Sequence, residues 1–150
     1  MRYWLMKSEP TDFSIDDLGR VRREPWNGVR NFQARNFIKE MRIGDLALFY
    51  HSNTEPIGVA GVMKICSEPY ADSTQFDAKS KYYAPKATKE KPIWYLVDVC
   101  FVKKFKEIIP LQEIKARAEL RDMPVAQKGS RLSVQPVSEK HFKILTSGVM

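Results

Sequence analysis

The length and composition of the chain are typical of a folded globular protein. Its 150 residues are 43% hydrophobic and 29% charged, which excludes disordered and fibrous classes, and no apolar run approaches the ~18 residues that span a membrane. We therefore expect a single domain over residues 1–150 in a cytoplasmic protein. A net charge of +7 makes nucleic acid a reasonable partner, although many basic surfaces bind nothing specific.

The first 66 residues predict three strands and two helices. In chain order these are strand 2–7, helix 14–20, helix 31–41, strand 46–52 and strand 57–66. Ser14 and Asp17 have the spacing of a capping box, which marks the start of the first helix. Gly58 and Gly61 leave the last strand nearly bare, so we expect sharp bending or close approach of another group there.

The second half of the chain predicts a central strand followed by smaller elements. Residues 93–102 are apolar on both alternating faces, so we expect this strand to be covered on both sides. Cys66 and Cys100 lie in apolar runs and are interpreted as buried packing residues rather than as a disulfide or a metal site. A helix near 111–120, a strand near 131–137 and a closing helix after Ser138 complete an α+β pattern, and we predict a small bent barrel with peripheral helices.

Signatures of catalysis and of metal binding are missing from the sequence. It contains no nucleophile elbow, P-loop, dinucleotide-binding glycines, HExxH or CxxC spacing. His51 ends an apolar strand beside Ser52, where it is either a hydrogen-bonding group at a cavity mouth or a structural histidine. We therefore predict no catalytic residues, no cofactor and no metal.

One short segment mixes residue types that core packing does not demand. Its aromatic, amide and guanidinium side chains within eleven residues are Trp26, Asn27, Arg30, Asn31, Phe32, Gln33, Arg35 and Asn36. An unstacked base needs this mixture, because a ring covers its face while amides pair with its edges. Arg30 and Arg35 either contact phosphates or make internal salt bridges. Trp26 is either a core residue or a ligand-facing one, and its place between Pro25 and Gly28 favours the latter.

Five segments in order resemble the motifs of the EVE domain family. They are YWLMKSEP (3–10), WNGVRNFQARN (26–36), GDLALFYHSN (44–53), QFD (75–77) and SRLSVQPV (130–137). EVE domains are similar to the PUA-like group, which includes the YTH and ASCH domains. The resemblance implies a PUA-like β-barrel with a pocket, of the kind that holds a methylated base in an aromatic cage in YTH relatives.

The resemblance also implies a set of ligand-binding residues. Lys7 and Ser8 match the pocket floor, and Trp26 matches the cage wall. The other positions that match the family motifs, or complete the lining beside them, are Asn31, Arg35, Asn36, His51, Ser52, Tyr82, Arg131, Ser133 and Gln135. Phe32 stands where many relatives have tyrosine, which removes one hydroxyl.

These observations favour a non-catalytic domain that captures a flipped, modified base of DNA or RNA. Two alternatives stay open. One is a pocket that binds a small metabolite or a peptide, and the other is a nucleotide-processing enzyme that uses His51 with a carboxylate such as Asp77. Salt-sensitive binding of nucleic acid is expected of the base-binding domain, and turnover is expected of the enzyme.

Overall fold

The computed structural model describes residues 1–150 and is built on a curled six-stranded sheet with four short helices. Its elements are β1 (Tyr3–Ser8), α1 (Ile15–Val21), β2 (Arg23–Pro25), α2 (Phe32–Glu40), β3 (Leu46–His51), β4 (Gly58–Ile65), β5 (Tyr70–Ala71), β6 (Tyr95–Leu96), β7 (Asp98–Pro110), α3 (Leu111–Ala116), β8 (Val134–Val137) and α4 (Glu139–Thr146). None of the helices has the length and apolar character needed to cross a membrane.

The main sheet bends but does not close. Its strand order is β2-β7-β4-β3-β1-β8, and β5 pairs with β6 in a separate ribbon. β1 and β3 are parallel, whereas the other neighbouring strands are antiparallel. β2 and β8 are therefore edge strands, and the seam of the barrel lies between them. The predicted α+β class with a bent barrel is confirmed, in its bent rather than its closed form.

Hydrophobic residues cover both faces of the sheet. Trp4 and Met6 of β1 belong to one cluster with Trp26 and Phe49, while the intervening Leu5 belongs to a second cluster. This alternation follows from the two-residue period of a strand. α1 and α2 contribute to the first cluster, and α3 and α4 contribute to the second. The sheet is thus the middle layer of the molecule.

Local sequence signals set the helix starts as predicted. The Ser14 hydroxyl accepts a hydrogen bond from the Asp17 amide, and the Asp17 carboxylate accepts one from the Ser14 amide, which completes the capping box. Asn31 caps α2, and Ser138 caps α4. Each cap supplies an acceptor to an amide that the helix leaves unpaired.

The predicted strand 93–102 differs from the structure. It is divided into β6 and a longer β7 that continues to Pro110, through a charged stretch that carries no strand-like alternation. Full cover on both sides was wrong for this strand, because Val102 is 36% exposed. Cys66 and Cys100 are free thiols, as expected, but they are half-buried rather than buried.

The glycines of β4 permit the close approach that the sequence predicted. A Cβ atom on Gly61 would collide with the carbonyl oxygen of Lys103 in β7, and one on Gly58 would collide with that of Ile109. The pairing of β4 with β7 also shifts register between Val59 and Gly61. At these two positions β4 can therefore stay paired with β7 only because glycine has no side chain.

Gly61→Ala tests this constraint on the bend. The new methyl group must displace the backbone of β7, and we expect a decrease of roughly 1–3 kcal/mol in the free energy of unfolding. Gly19→Ala is the control, because its Cβ would meet the Phe101 ring at an ordinary 3.5 Å and alanine favours a helix. Urea denaturation of both variants measures the difference, and equal stabilities would contradict the close approach.

Candidate functional site

An open cavity of about 480 Å³ lies at the unclosed seam of the barrel. Glu24 and Pro25 of the edge strand β2 line it, together with Ser133, which directly precedes the other edge strand β8. Lys7 and Ser8, at the end of β1, also line it. The volume falls in the range of about 300–1,000 Å³ that is usual for small-ligand sites. The bend of the sheet therefore produces a site of suitable size.

Trp26 belongs both to the core and to the wall of this cavity. Its amide donates a hydrogen bond to the Val97 carbonyl at 2.9 Å, which fixes the chain just beyond β2. Its ring meets the Phe49 ring edge-on, with centroids 5.3 Å apart and planes at 85°. The residue is only 8% exposed and lines the cavity. The core thus holds this ring in one position.

The side chain of Asp72 fixes the loop that follows Trp26. Its carboxylate is fully buried and accepts hydrogen bonds from the Gly28 amide at 2.8 Å, the Thr74 amide at 2.9 Å and the Arg30 guanidinium at 3.1 Å. Burial raises the pKa of Asp72, but the hydrogen bond from the Thr74 hydroxyl, together with those from the Gly28 and Thr74 amides and from Arg30, lowers it more, so the pKa lies below its ordinary value. The carboxylate is therefore charged when it joins these segments.

Arg30 makes internal hydrogen bonds with all of its donors. Its five N–H groups donate to the carbonyls of Val29 and Tyr82, the Thr74 hydroxyl and the Asp72 carboxylate. Of the two roles that the sequence left open, the structure shows the internal salt bridge. The guanidinium also lies 5.3 Å from the centroid of the Tyr82 ring.

Within the long segment 67–92, Tyr82 is the residue that lines the cavity. Its ring packs directly against Gly28, where a Cβ atom would lie 2.6 Å from the ring. Gly28 has φ of 85°, a conformation that glycine adopts most readily. A side chain at this position would displace Tyr82, so both space and backbone conformation require glycine.

Three polar side chains in the cavity keep capacity for a ligand. The Lys7 ammonium donates to the Ser130 carbonyl at 3.4 Å, and burial lowers its pKa. Asn31 uses its carbonyl oxygen to cap α2, which leaves its amide N–H groups without a protein acceptor. Ser133 makes no side-chain hydrogen bond within the protein. These groups can pair with the edges of a polar ligand.

The structure brings together half of the residues that the resemblance suggested. Lys7, Ser8, Trp26, Asn31, Tyr82 and Ser133 line the cavity. Outside its lining lie Arg35, Asn36, His51, Ser52, Arg131 and Gln135. Four residues of the second group, Arg35, Asn36, His51 and Gln135, use their side chains in hydrogen bonds within the protein.

His51 illustrates why a predicted residue lies outside. It is 7% exposed, and its ring nitrogen accepts a hydrogen bond from the Ile15 amide at 3.1 Å. Burial lowers its pKa, which favours the neutral ring. His51 therefore anchors the start of α1 instead of opening to the cavity, and the structural interpretation of this histidine is the one observed.

Arg35 and Gln135 are also engaged by the protein. The Arg35 guanidinium donates to the Asn36 side chain and to the Ile93 carbonyl at 3.1 Å. Gln135 is 1% exposed and donates to the Leu132 carbonyl at 2.8 Å. Ser52 is held through its amide, which donates to the Ser8 carbonyl, while Arg131 is exposed.

The sequence reasoning missed several residues of the lining, among them Phe13 and the carboxylates of Glu9, Asp12 and Glu24. The pattern around Phe13 indicates only a helix start. Glu24 and Trp26 are two positions apart, so they lie on one face of an extended segment. This two-residue spacing is the only signal that could have identified Glu24. It could not be recognised in the sequence, because β2 has just three residues and is too short to show an alternating pattern.

Asp72→Asn tests the ion pair that holds the cavity wall. Removing the charge from this buried pair should lower the free energy of unfolding by roughly 3 kcal/mol near neutral pH. Because the pKa of Asp72 is lowered on folding from its ordinary 3.8, its contribution is present above about pH 4 and disappears as the pH falls through the folded-state value.

We therefore expect the stability difference between the parent and Asp72→Asn to shrink in acid. Denaturant melts at a series of pH values measure it. Asp77→Asn is the control, since this exposed carboxylate of the same loop accepts one hydrogen bond, from the Lys79 amide. A difference that stays constant below pH 4 would count against a charged Asp72 as the source.

Comparison with known proteins gives close relatives over nearly the whole chain. Thymocyte nuclear protein 1 of Danio rerio is 42% identical, over 96% of this chain and 70% of the relative. A crystal structure of a Pseudomonas syringae protein superposes with a TM-score of 0.94 at 45% identity, covering 99% of both chains. The crystal structure of human THYN1 in complex with 5-methylcytosine-containing DNA has a TM-score of 0.89 at 39% identity, over 98% of this chain and 96% of that one.

The family model agrees with these likenesses. It matches residues 2–147 and is described as the EVE domain. This range includes every element of the sheet and every residue that lines the cavity. The chain belongs to the EVE domain family.

Proposed function

We propose that this protein binds nucleic acid without catalysis and holds a flipped, modified base in the cavity at the barrel seam. The observation that carries the proposal is the cavity itself, in which the fixed ring of Trp26 stands beside polar groups that lack protein partners. The human relative solved in complex with 5-methylcytosine-containing DNA makes 5-methylcytosine in DNA the first base to test.

The wall of the cavity offers both kinds of interaction that a single base requires. Stacking on an aromatic ring contributes roughly 1–3 kcal/mol per base, and Trp26 and Tyr82 supply rings in the lining. Hydrogen bonds to the base edges supply selectivity. Asn31 and Ser133 can make such bonds without giving up interactions that hold the fold.

A methyl group on the base contributes a smaller share of the affinity. Phe13 and Val29 add apolar surface to the lining, and burying one methyl group is worth about 0.8 kcal/mol. That energy corresponds to roughly a fourfold change in affinity. We therefore expect stacking and edge pairing to supply most of the affinity, and the methyl group to add a modest preference for the methylated base over the unmethylated one.

The exposed lysines of the segment that carries Tyr82 are the best candidates for binding phosphate. Arg30 uses all five of its N–H groups within the protein, which leaves it no free donor for phosphate, and Arg35 uses three of its five. The segment that carries Tyr82 has five exposed lysines, at positions 79, 81, 86, 89 and 91. Their charge explains how a domain with a small cavity could attract a polyanion.

The enzymatic alternative loses the residues that it relied on. Neither His51 nor Asp77 lines the cavity, and the His51 ring accepts its hydrogen bond from Ile15. A proton transfer to a bound nucleotide needs a group within hydrogen-bond reach of it. Binding without turnover is therefore the function that this geometry favours.

A comparison of two tryptophans tests the proposed function. Trp26 and Trp94 are each 8% exposed, but only Trp26 lines the cavity. We expect both leucine variants to be destabilised to a similar extent, whereas Trp26→Leu alone weakens binding of a 5-methylcytosine oligonucleotide by roughly tenfold to a hundredfold. Fluorescence anisotropy measures the affinities, and equal weakening in the two variants would contradict a base stacked on Trp26.

The salt dependence of binding tests the role of the lysines. Replacing Lys81 and Lys86 with glutamine should weaken binding and reduce the slope of log K against log salt by about 0.7–0.9 for each phosphate that is no longer neutralised. Lys115 of α3 and Lys140 of α4 serve as controls, because those helices cover the opposite face of the sheet. If the control pair changes the slope as much as the test pair, the phosphate path lies elsewhere.

A further inference from the structure

Glu24 is a cavity residue whose carboxylate has no partner in the protein. It lies on the edge strand β2, paired with Val99 of β7, and lines the cavity together with Trp26, which follows it by two residues. Its side chain takes part in no hydrogen bond and no salt bridge of the structure. By contrast, Asn53 donates to Glu9, and Ser14 and Arg20 donate to Asp17. Glu24 is therefore free to pair with whatever lies against Trp26.

The surroundings of Glu24 make its carboxylate easier to protonate than a fully exposed one. Partial burial raises the pKa of this carboxyl, and the negative charges of Asp17 and Asp98 raise it further. A protonated carboxyl has one O–H donor and one carbonyl acceptor side by side. An ionised carboxylate, in contrast, offers acceptors only.

This donor and acceptor pair matches the Watson–Crick edge of a cytosine base. The Watson–Crick edge of cytosine has a ring nitrogen that accepts, N3, next to an exocyclic amine that donates, N4, and carboxyl groups are established acceptors from N4. Thymine and uracil present an N3–H donor next to the O4 acceptor and have no basic ring nitrogen, so they can pair with the neutral acid but cannot share its proton. The methyl group of 5-methylcytosine is on C5, away from N3, so it does not disturb this pairing.

We propose that Glu24 selects cytosine in the cavity by pairing with its N3 and N4 groups and sharing one proton with N3. The inference rests on the proposed function and adds the residue that chooses the base. Because the pair needs a proton that the free carboxylate and the free base lack near neutral pH, complex formation takes up one proton from solvent. No bond of the base or of the protein backbone is made or broken.

Other ionisable groups face the same cavity. They are Lys7 of β1, Glu9 and Asp12 of the following turn, Arg30, and Tyr82, with Asp17 of α1 and Asp98 of β7 near Glu24 itself. A pH effect on binding could therefore come from any of these groups. To assign it to Glu24, a variant is needed that cannot ionise at position 24 and is otherwise nearly the same in shape. Glu24→Gln is that variant, since its amide N–H can donate to N3 and its carbonyl can accept from N4.

The experiment measures the affinity of the parent for oligonucleotides that carry 5-methylcytosine or thymine at one position, from about pH 6 to about pH 8 at constant salt. We expect the affinity of the parent for the 5-methylcytosine form to rise as the pH falls, approaching tenfold per pH unit where uptake of the proton is complete. Glu24→Gln should bind the 5-methylcytosine form with an affinity that no longer depends on pH, and because its amide can turn over to pair with either base, its preference for 5-methylcytosine over thymine should fall.

Glu24→Leu should reduce that preference by roughly tenfold to a hundredfold, as expected when a base edge is left unpaired, with melting temperature as the check on folding. Asp77→Asn, in an exposed carboxylate outside the cavity, should change neither the preference nor its pH dependence. A Glu24→Leu variant that discriminates like the parent overturns the role of Glu24 but leaves the proposed function standing. A parent that binds neither oligonucleotide overturns both.

Discussion

The buried carboxylate of Asp72 joins the two segments that wall the cavity. It accepts a hydrogen bond from Gly28, just after Trp26, and it pairs with Arg30, whose guanidinium in turn holds the Tyr82 carbonyl. A fully buried charge is costly unless it is well paired. Separating these segments would leave the Asp72 carboxylate buried without its partners, and this cost holds them together. The position of Tyr82 relative to the loop that follows Trp26 depends on this one ionised group.

The barrel seam and the cavity have a common origin. The sheet ends at β2 on one side and at β8 on the other, and edge strands leave backbone groups and side chains that the sheet itself does not cover. In this protein the gap is lined by Glu24 from β2 and by Ser133 beside β8. The main sheet thus provides a rigid frame, and binding groups come from its incomplete edges and from the loops beside them.

The features that the sequence predicted well depend on neighbouring residues. Ser14 and Asp17 form a capping box within one helical turn, and the bare positions of β4 are glycines whose lack of a side chain is read directly from the chain. In these cases the physical cause acts over a few residues, so a pattern can show it.

The features that were missed depend on interactions between distant residues. Gly28 and Asp72 are 44 positions apart, and nothing in either segment indicates their hydrogen bond. His51 had two reasonable roles, and only the position of the Ile15 amide, 36 residues away, decides between them. β7 extends through charged residues because β4 pairs with it, not because its own sequence alternates. Tertiary structure overrides local pattern at each of these places.

The central claim, that a base stacks on Trp26, is tested most directly by the indole N–H signals of the three tryptophans. In NMR spectra these report on Trp26 in the cavity wall, on Trp94 outside it, and on Trp4, which is fully buried and donates to Asp45. The account predicts that a 5-methylcytosine oligonucleotide shifts the Trp26 signal strongly and the other two little. A shift of Trp94 with an unchanged Trp26 would contradict it.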